Sequence, residues 1–497
     1  MIRQLVSALA LLGLPLCAEV KLPAIISDHM LLQQQMPVRV WGKASPGEAV
    51  SVQFNGRAAS TTADGAGNWE AYLPPMTAGG PFELNIRGTN QITVHDVLIG
   101  EVWVGSGQSN MELPMTRVNQ AEQEIAAADY PQIRLFTVKK KVSDTPLDDV
   151  TGEWSLCTPA SVRNFSAVGY FFSRYIHQNR HVAVGFIHSS WGGTPAQSWT
   201  AHSVMENNLQ IKNYLTEWDQ TLAAYPAASE KYQQQLADYK VKAAAAKAEG
   251  KPVPNAPRPP AGPGHPNTPA GLWNAMIAPI TPYAIRGVLW YQGEANADAK
   301  HAEGYRQLFR AMIEDWRQQW AEGDFPFLFV QLANYQPGGN WPVLRESQTN
   351  TLELTRTGMA VITDIGDSTN IHPMDKQDVG KRLALAAQAL AYGEKLEYSG
   401  PMFRQMTREG ASLRLFFDHT GSGLDSRGGD KLLGFEIAGK DGNFVPAEAR
   451  IEAQTVVVTS GEVKDPVKVR YAWAADPKCT LENKEGLQAS SFRADLK

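Results

Sequence analysis

The sequence predicts an α/β protein, with a parallel-sheet domain in the middle of the chain and a β-sandwich module on either side. Two observations carry that prediction. Short apolar runs with no polar alternation recur through the middle, at 97–104, 182–187, 287–290, 327–330 and 359–362. Strands that are apolar on both faces belong to parallel sheets covered by helices. On either side the texture changes to strict apolar/polar alternation broken by turn residues, the pattern of half-buried antiparallel strands.

The elements follow in order. Residues 1–18 carry one basic residue, Arg3, an apolar run from Leu5 to Leu16 and a small residue at Ala18. That is the layout of a cleavable export signal, and it predicts a periplasmic or extracellular protein. The run is shorter than the roughly 20 residues a membrane span needs, so the mature chain is expected to have no span. Residues 19–97 alternate in segments such as Val38-Arg39-Val40-Trp41 and Phe82-Glu83-Leu84-Asn85-Ile86, with turns at Ser45-Pro46-Gly47 and Gly79-Gly80-Pro81. A small β-sandwich is expected there.

Residues 98–405 read as the α/β domain. Between two of its apolar runs, Tyr305, Leu308, Phe309, Met312, Ile313, Trp316 and Trp320 recur at three and four residues, one stripe of an amphipathic helix. An insertion is expected at about 205–270: residues 229–249 favour a solvated helix, whereas the Pro/Gly-rich stretch 250–269 cannot form one. Residues 406–497 return to alternation, as in Ser412-Leu413-Arg414-Leu415-Phe416, and predict the second β module.

Composition narrows the function classes. A formal charge of −5 without a basic stripe argues against a nucleic-acid partner. Of the three cysteines, Cys157 and Cys479 lie beyond the export signal. Their spacing is not that of metal ligands, and one disulfide or two buried thiols are equally open.

Chemistry is expected at the carboxyl ends of the apolar runs, where ligands bind in open parallel sheets. Four clusters stand there: Gly105-Ser106-Gly107-Gln108-Ser109-Asn110, His188-Ser189-Ser190-Trp191-Gly192-Gly193-Thr194, Tyr291-Gln292-Gly293-Glu294-Ala295-Asn296 and Thr363-Asp364-Ile365-Gly366-Asp367. Ser109, at a strand-to-helix turn, is the candidate nucleophile, and a serine hydroxyl needs a base within hydrogen-bond reach. His372, stiffened by Pro373 and followed by a helix from about Lys376 to Ala391, is the candidate base. Asp364 and Asp367 are candidates to orient its ring. Backbone N–H groups of Ser109 and of Gly192 or Gly193, with a side-chain amide from Gln292 or Asn296, are the candidate oxyanion donors.

Together, GQSNME at 107–112, SWGGT at 190–194, GVLWYQGEANA at 287–297 and IHPMDKQDVGKRLA at 371–384 resemble the sialate O-acetylesterase family of SGNH hydrolases. GLWNAMIAP at 271–279, RESQ at 345–348 and GLQASSFR at 486–493 extend the resemblance over nearly the whole mature chain. It implies a doubly wound α/β/α domain, no metal or organic cofactor, and hydrolysis of acetyl esters of sugars. Carried over by position, the nucleophile falls on Ser109, the glycine donor on Gly192-Gly193, the third block on Gln292-Gly293-Glu294 and the histidine on His372. Gln108, Glu294, Asn296 and Arg345 are substrate-binding candidates, Arg345 for a sialate carboxylate. Many SGNH enzymes place an aspartate three residues before the histidine. Here that position is Thr369, which leaves a Ser–His–Asp triad and a Ser–His dyad both open.

Three other functions remain to be separated. Acetylated xylan or another plant polysaccharide is the alternative substrate. A glycosidase would use two carboxyl groups, with Glu294 and Asp367 as the available pair, but would leave Ser109 without a task. A non-catalytic carbohydrate-binding protein would need neither Ser109 nor His372.

Overall fold

A computed structural model of the chain describes residues 19–429 and 431–496. The expected export signal at 1–18 lies outside the described residues. Among them, no helix is long and apolar enough to cross a membrane.

Seven strands lie side by side in the order Thr357–Ala360, Phe327–Val330, Gly287–Tyr291, Gln91–Gly107, Val184–Ser190, Tyr130–Thr137 and Trp154–Cys157. All pairs are parallel except the last, which is antiparallel. All five apolar runs contribute strands to this sheet. Tyr130–Thr137 and Trp154–Cys157 were not foreseen: exposed Pro131 and Gln132 interrupt the first, and the second is only four residues long.

Because successive side chains of a strand point to opposite faces, Val102 and Val104 enter one core while Trp103 enters another. On the first face lies the helix Tyr305–Trp320, whose apolar stripe packs against Val288, Trp290 and Phe329. On the second lie Ala167–Arg180 and Lys376–Leu390. The three-layer α/β/α domain is thereby established, each large apolar side chain contributing about 1.5–3 kcal/mol by leaving water.

Of the N-terminal strands, Leu31–Gln33, Ala49–Phe54, Arg57–Thr62 and Gly79–Arg87 connect to this sheet, whereas Val38–Lys43 and Asn68–Leu73 pair with each other in a separate two-stranded sheet. Gly79–Arg87 pairs antiparallel with the first part of Gln91–Gly107, and Leu31–Gln33 pairs parallel with its middle. One 17-residue strand therefore runs through residue 97 from the N-terminal strands into the centre of the parallel sheet. At the other end of the chain, two four-stranded antiparallel sheets enclose a third core around Leu413, Leu415, Val456, Val458, Ile437 and Tyr471. The insertion holds a 36-residue helix, Asn213–Ala248, largely solvated, followed by a stretch without regular structure at 251–262. Cys157 and Cys479 are both free, so the disulfide option is not realised.

Candidate active site

The chain leaves Gln91–Gly107 toward one side of the sheet and later returns to build the other, so the end of this strand is the topological switch point. Register places Ser190, Gly107 and Tyr291 in one row across three neighbouring strands. The three clusters that follow them are thereby brought together, as expected for a crevice at this edge. Gly107 has φ +129, and a Cβ there would collide with the Tyr291 carbonyl oxygen, so only glycine lets the strand turn this close to its neighbour.

The turn delivers Ser109 as the first residue of a short helix, Ser109–Glu112. Its Oγ lies 2.8 Å from His372 Nε2. The two residues, 263 positions apart, line a cavity of about 580 Å³ with Glu112, Arg117, Lys139 and Ser190. Burial lowers the His372 pKa, helped by the positive charges of Arg117 and Lys376. A base must be neutral to accept a proton, so activity is lost as pH falls through this lowered value. The acid limb of kcat/KM is therefore expected below about 6.5, the ordinary imidazole value; a midpoint above it in a pH–rate profile would contradict this environment.

Neither aspartate serves the imidazole. Asp367 Oδ1 accepts hydrogen bonds from Thr369 N and Oγ1 and from Asn370 N, shaping the turn before His372 without touching its ring. Asp364 is buried and gripped by both ends of the Arg382 guanidinium at 2.6 Å, with Arg427 as a second partner. Burial opposes its ionisation, but the two guanidiniums hold its carboxyl below the ordinary range. Among the described residues no acid hydrogen-bonds to His372, and the arrangement is a Ser–His pair.

Other expected contacts are corrected by burial. The Gln292 amide donates to Asn296 Oδ1 at 2.7 Å and to Thr194 O, and its oxygen accepts from Tyr305. The Asn296 amide donates to Gln197. Both side chains are 0% exposed and neither lines the cavity, so they do not reach it as oxyanion donors. Gln108 Oε1 accepts from Ala295 N, clamping the first block to the third. Arg345 is 0% exposed and donates to the carbonyls of Leu332, Ala333, Ala474 and Ala475, so it holds backbone together instead of facing a sugar carboxylate. Glu294 accepts 2.5 Å from Asn110 Nδ2 and, like Asp367, does not line the cavity, which removes the carboxyl pair a glycosidase needs.

The glycine pair does border Ser109: a Cβ on Gly192 would lie 3.2 Å from Ser109 Cβ. The Gly192 N–H donates to Glu112 Oε2 at 2.6 Å, and Lys140 holds the other oxygen of that carboxylate. Gly193 has φ +79 and open space around its α-carbon. The residues that sequence reasoning did not single out are Glu112, Arg117, Lys139, Lys140, Asn110 and Lys376. Lys139 and Lys140 follow an unforeseen strand, and Glu112 and Asn110 were legible only as letters of the GQSNME block.

A doubly wound sheet with a serine and histidine in contact at its switch point defines a carboxylic ester hydrolase of the SGNH type. The family described as "Carbohydrate esterase, sialic acid-specific acetylesterase" matches residues 270–389. The mouse sialate O-acetylesterase is 31% identical, with 91% of this chain and 89% of the mouse protein covered. The human sialate O-acetylesterase is 30% identical over 76% of this chain and 72% of its own. The crystal structure of a carbohydrate acetylesterase from Xanthomonas citri superposes with a TM-score of 0.83 at 39% identity, covering 96% of this chain and 99% of that one. The chain belongs to the sialate O-acetylesterase family.

Proposed function

We propose that this is an exported O-acetylesterase that removes acetyl groups from sialic acid through an acetyl-enzyme on Ser109. The observation that carries the reading is the 2.8 Å contact between Ser109 Oγ and His372 Nε2. In the mechanism, His372 accepts the hydroxyl proton as Oγ attacks the acetyl carbonyl. The N–H groups of Ser109 and Gly193, neither of which has a hydrogen-bond partner among the described residues, receive the oxyanion, while the Gly192 N–H is held by Glu112. The protonated imidazole then gives its proton to the departing sugar oxygen. Water activated by the same imidazole attacks the acetyl-enzyme and releases acetate.

An acidic sugar is favoured by the cavity's cations. Arg117 and Lys139 line it beside the Ser–His pair, and neither has an ion pair among the described residues. A charge-assisted hydrogen bond to a carboxylate contributes about 1.5–3 kcal/mol. Arg117→Ala is accordingly expected to raise KM for 9-O-acetylated sialic acid by about tenfold or more. The likeness to the Xanthomonas carbohydrate acetylesterase leaves a second reading, an acetylated carbohydrate other than sialic acid, with acetylated xylan as its representative. Acetate release from O-acetylated sialic acid and from acetylated xylan, measured side by side, separates the two. Preference for xylan together with an unchanged KM in Arg117→Ala would assign the enzyme to the polysaccharide.

The apolar N-terminal run supports export. N-terminal sequencing of the protein recovered outside the cytoplasm is expected to start at Glu19.

A further inference from the structure

We propose that Asn110 is the positioning residue of this site: its side-chain amide ties the loop carrying His372 to the helix carrying Ser109, and Lys376 and Glu294 hold that amide in the one orientation that does so. The inference rests on Ser109 and His372 being the reacting pair.

Asn110 follows the nucleophile and is 1% exposed. Its Nδ2 donates to the carbonyl oxygen of Ile371 at 2.9 Å and to Glu294 Oε1 at 2.5 Å. Its Oδ1 accepts from Lys376 Nζ at 2.7 Å. Both amide protons meet oxygens and the amide oxygen meets an ammonium group, so a flipped amide would face repulsion at all three contacts. Ile371 immediately precedes His372. A displaced Ile371 carbonyl therefore carries the imidazole away from Oγ, and a misplacement of about 1 Å costs on the order of 10²-fold in rate.

The surroundings of the amide are expensive to maintain. Lys376 is 0% exposed, forms no salt bridge within 4.0 Å among the described residues, and stands over the Tyr291 ring with Nζ 4.9 Å from its centroid. Burial pushes its pKa down to about 7, with the Glu294 and Asp375 charges working in the other direction. Glu294 Oε2 is buried without a hydrogen-bond partner, and burial raises that carboxyl. What the lysine and glutamate supply is the polarity that orients the one side chain between them.

The test is acetate release from 4-nitrophenyl acetate by wild type, Ser109→Ala, Asn110→Asp, the double variant Asn110→Asp/Glu294→Gln, and Lys376→Met, with thermal unfolding of each. Asn110→Asp keeps the shape but turns an oxygen toward Ile371 O and Glu294. It is expected to lower kcat by about 10²-fold with KM within about threefold, because ground-state contacts are untouched. Adding Glu294→Gln supplies a donor for the new oxygen, and about tenfold of the lost kcat should return. Lys376→Met retains the buried stem, frees Oδ1 and is expected to lower kcat by about tenfold at unchanged KM; it carries the test if Asn110→Asp does not fold. Wild-type kcat in Asn110→Asp or in Lys376→Met overturns the proposal. So does a kcat loss that tracks the fall in melting temperature and is not recovered by Glu294→Gln. Activity retained by Ser109→Ala would instead remove the underlying reading of the site.

Discussion

Ser109→Ala is expected to lower kcat for acetate release by about 10⁴–10⁶-fold. The hydroxyl makes its hydrogen bond to His372 at 2.8 Å, and its removal leaves that base without a hydroxyl to activate. Ser190 also lines the cavity, but its partner His188 is pushed down to about 4 by burial and has too little basicity to activate a hydroxyl at neutral pH. His372→Ala should cost a similar factor. The double variant should be little worse than either single one, because nucleophile and base act as one unit. Asp364→Asn and Asp367→Asn differ in kind: neither carboxylate touches the imidazole, so any loss should appear as lower stability and not as a changed acid limb. The measurements are steady-state kinetics on 4-nitrophenyl acetate and labelling of Ser109 by an organophosphonate. Activity surviving Ser109→Ala would reject covalent catalysis here.

Arg345→Met is expected to destabilise the fold by about 3–5 kcal/mol. The guanidinium donates at 2.8 Å to Leu332 O and to Ala333 O, at 2.7 Å to Ala474 O and at 2.9 Å to Ala475 O. The first two carbonyls follow a strand of the central sheet, and the last two follow the strand Lys468–Tyr471 of the C-terminal module. One buried side chain therefore fastens two parts of the molecule. Burial lowers its pKa to about 10, which leaves it charged at neutral pH. Methionine fills the space and leaves four carbonyls without donors, each costing about 1–3 kcal/mol before water and backbone relaxation recover part of the loss. Denaturant unfolding measures the effect. An unaltered midpoint together with a raised KM for the sialate ester would return Arg345 to substrate binding.

The contrast between Ser109 and Arg345 shows which features were legible. Ser109 and His372 could be read because each follows an apolar run long enough to announce a buried strand, and strands of a parallel sheet share one carboxyl edge. Their meeting follows from topology. Arg345, Gln292 and Asn296 are polar residues beside the same motifs, and their letters give no indication of which way they face. Asp364 shows the difficulty most clearly: it lies close before the histidine in sequence, yet its charge is claimed by Arg382 and Arg427, one of them from the C-terminal module.

The sequence by itself determined the fold class, the edge of the sheet where the candidate site lies and the serine and histidine that meet there, because hydrophobic periodicity is a local property that burial must satisfy. Only the tertiary structure decided that no acid among the described residues pairs with the histidine, that the buried amides and Arg345 bond within the scaffold, and that Asn110 joins the segments carrying Ser109 and His372. Those outcomes depend on which donor meets which acceptor across segments hundreds of residues apart, and a buried polar group takes its role from the partner that satisfies it.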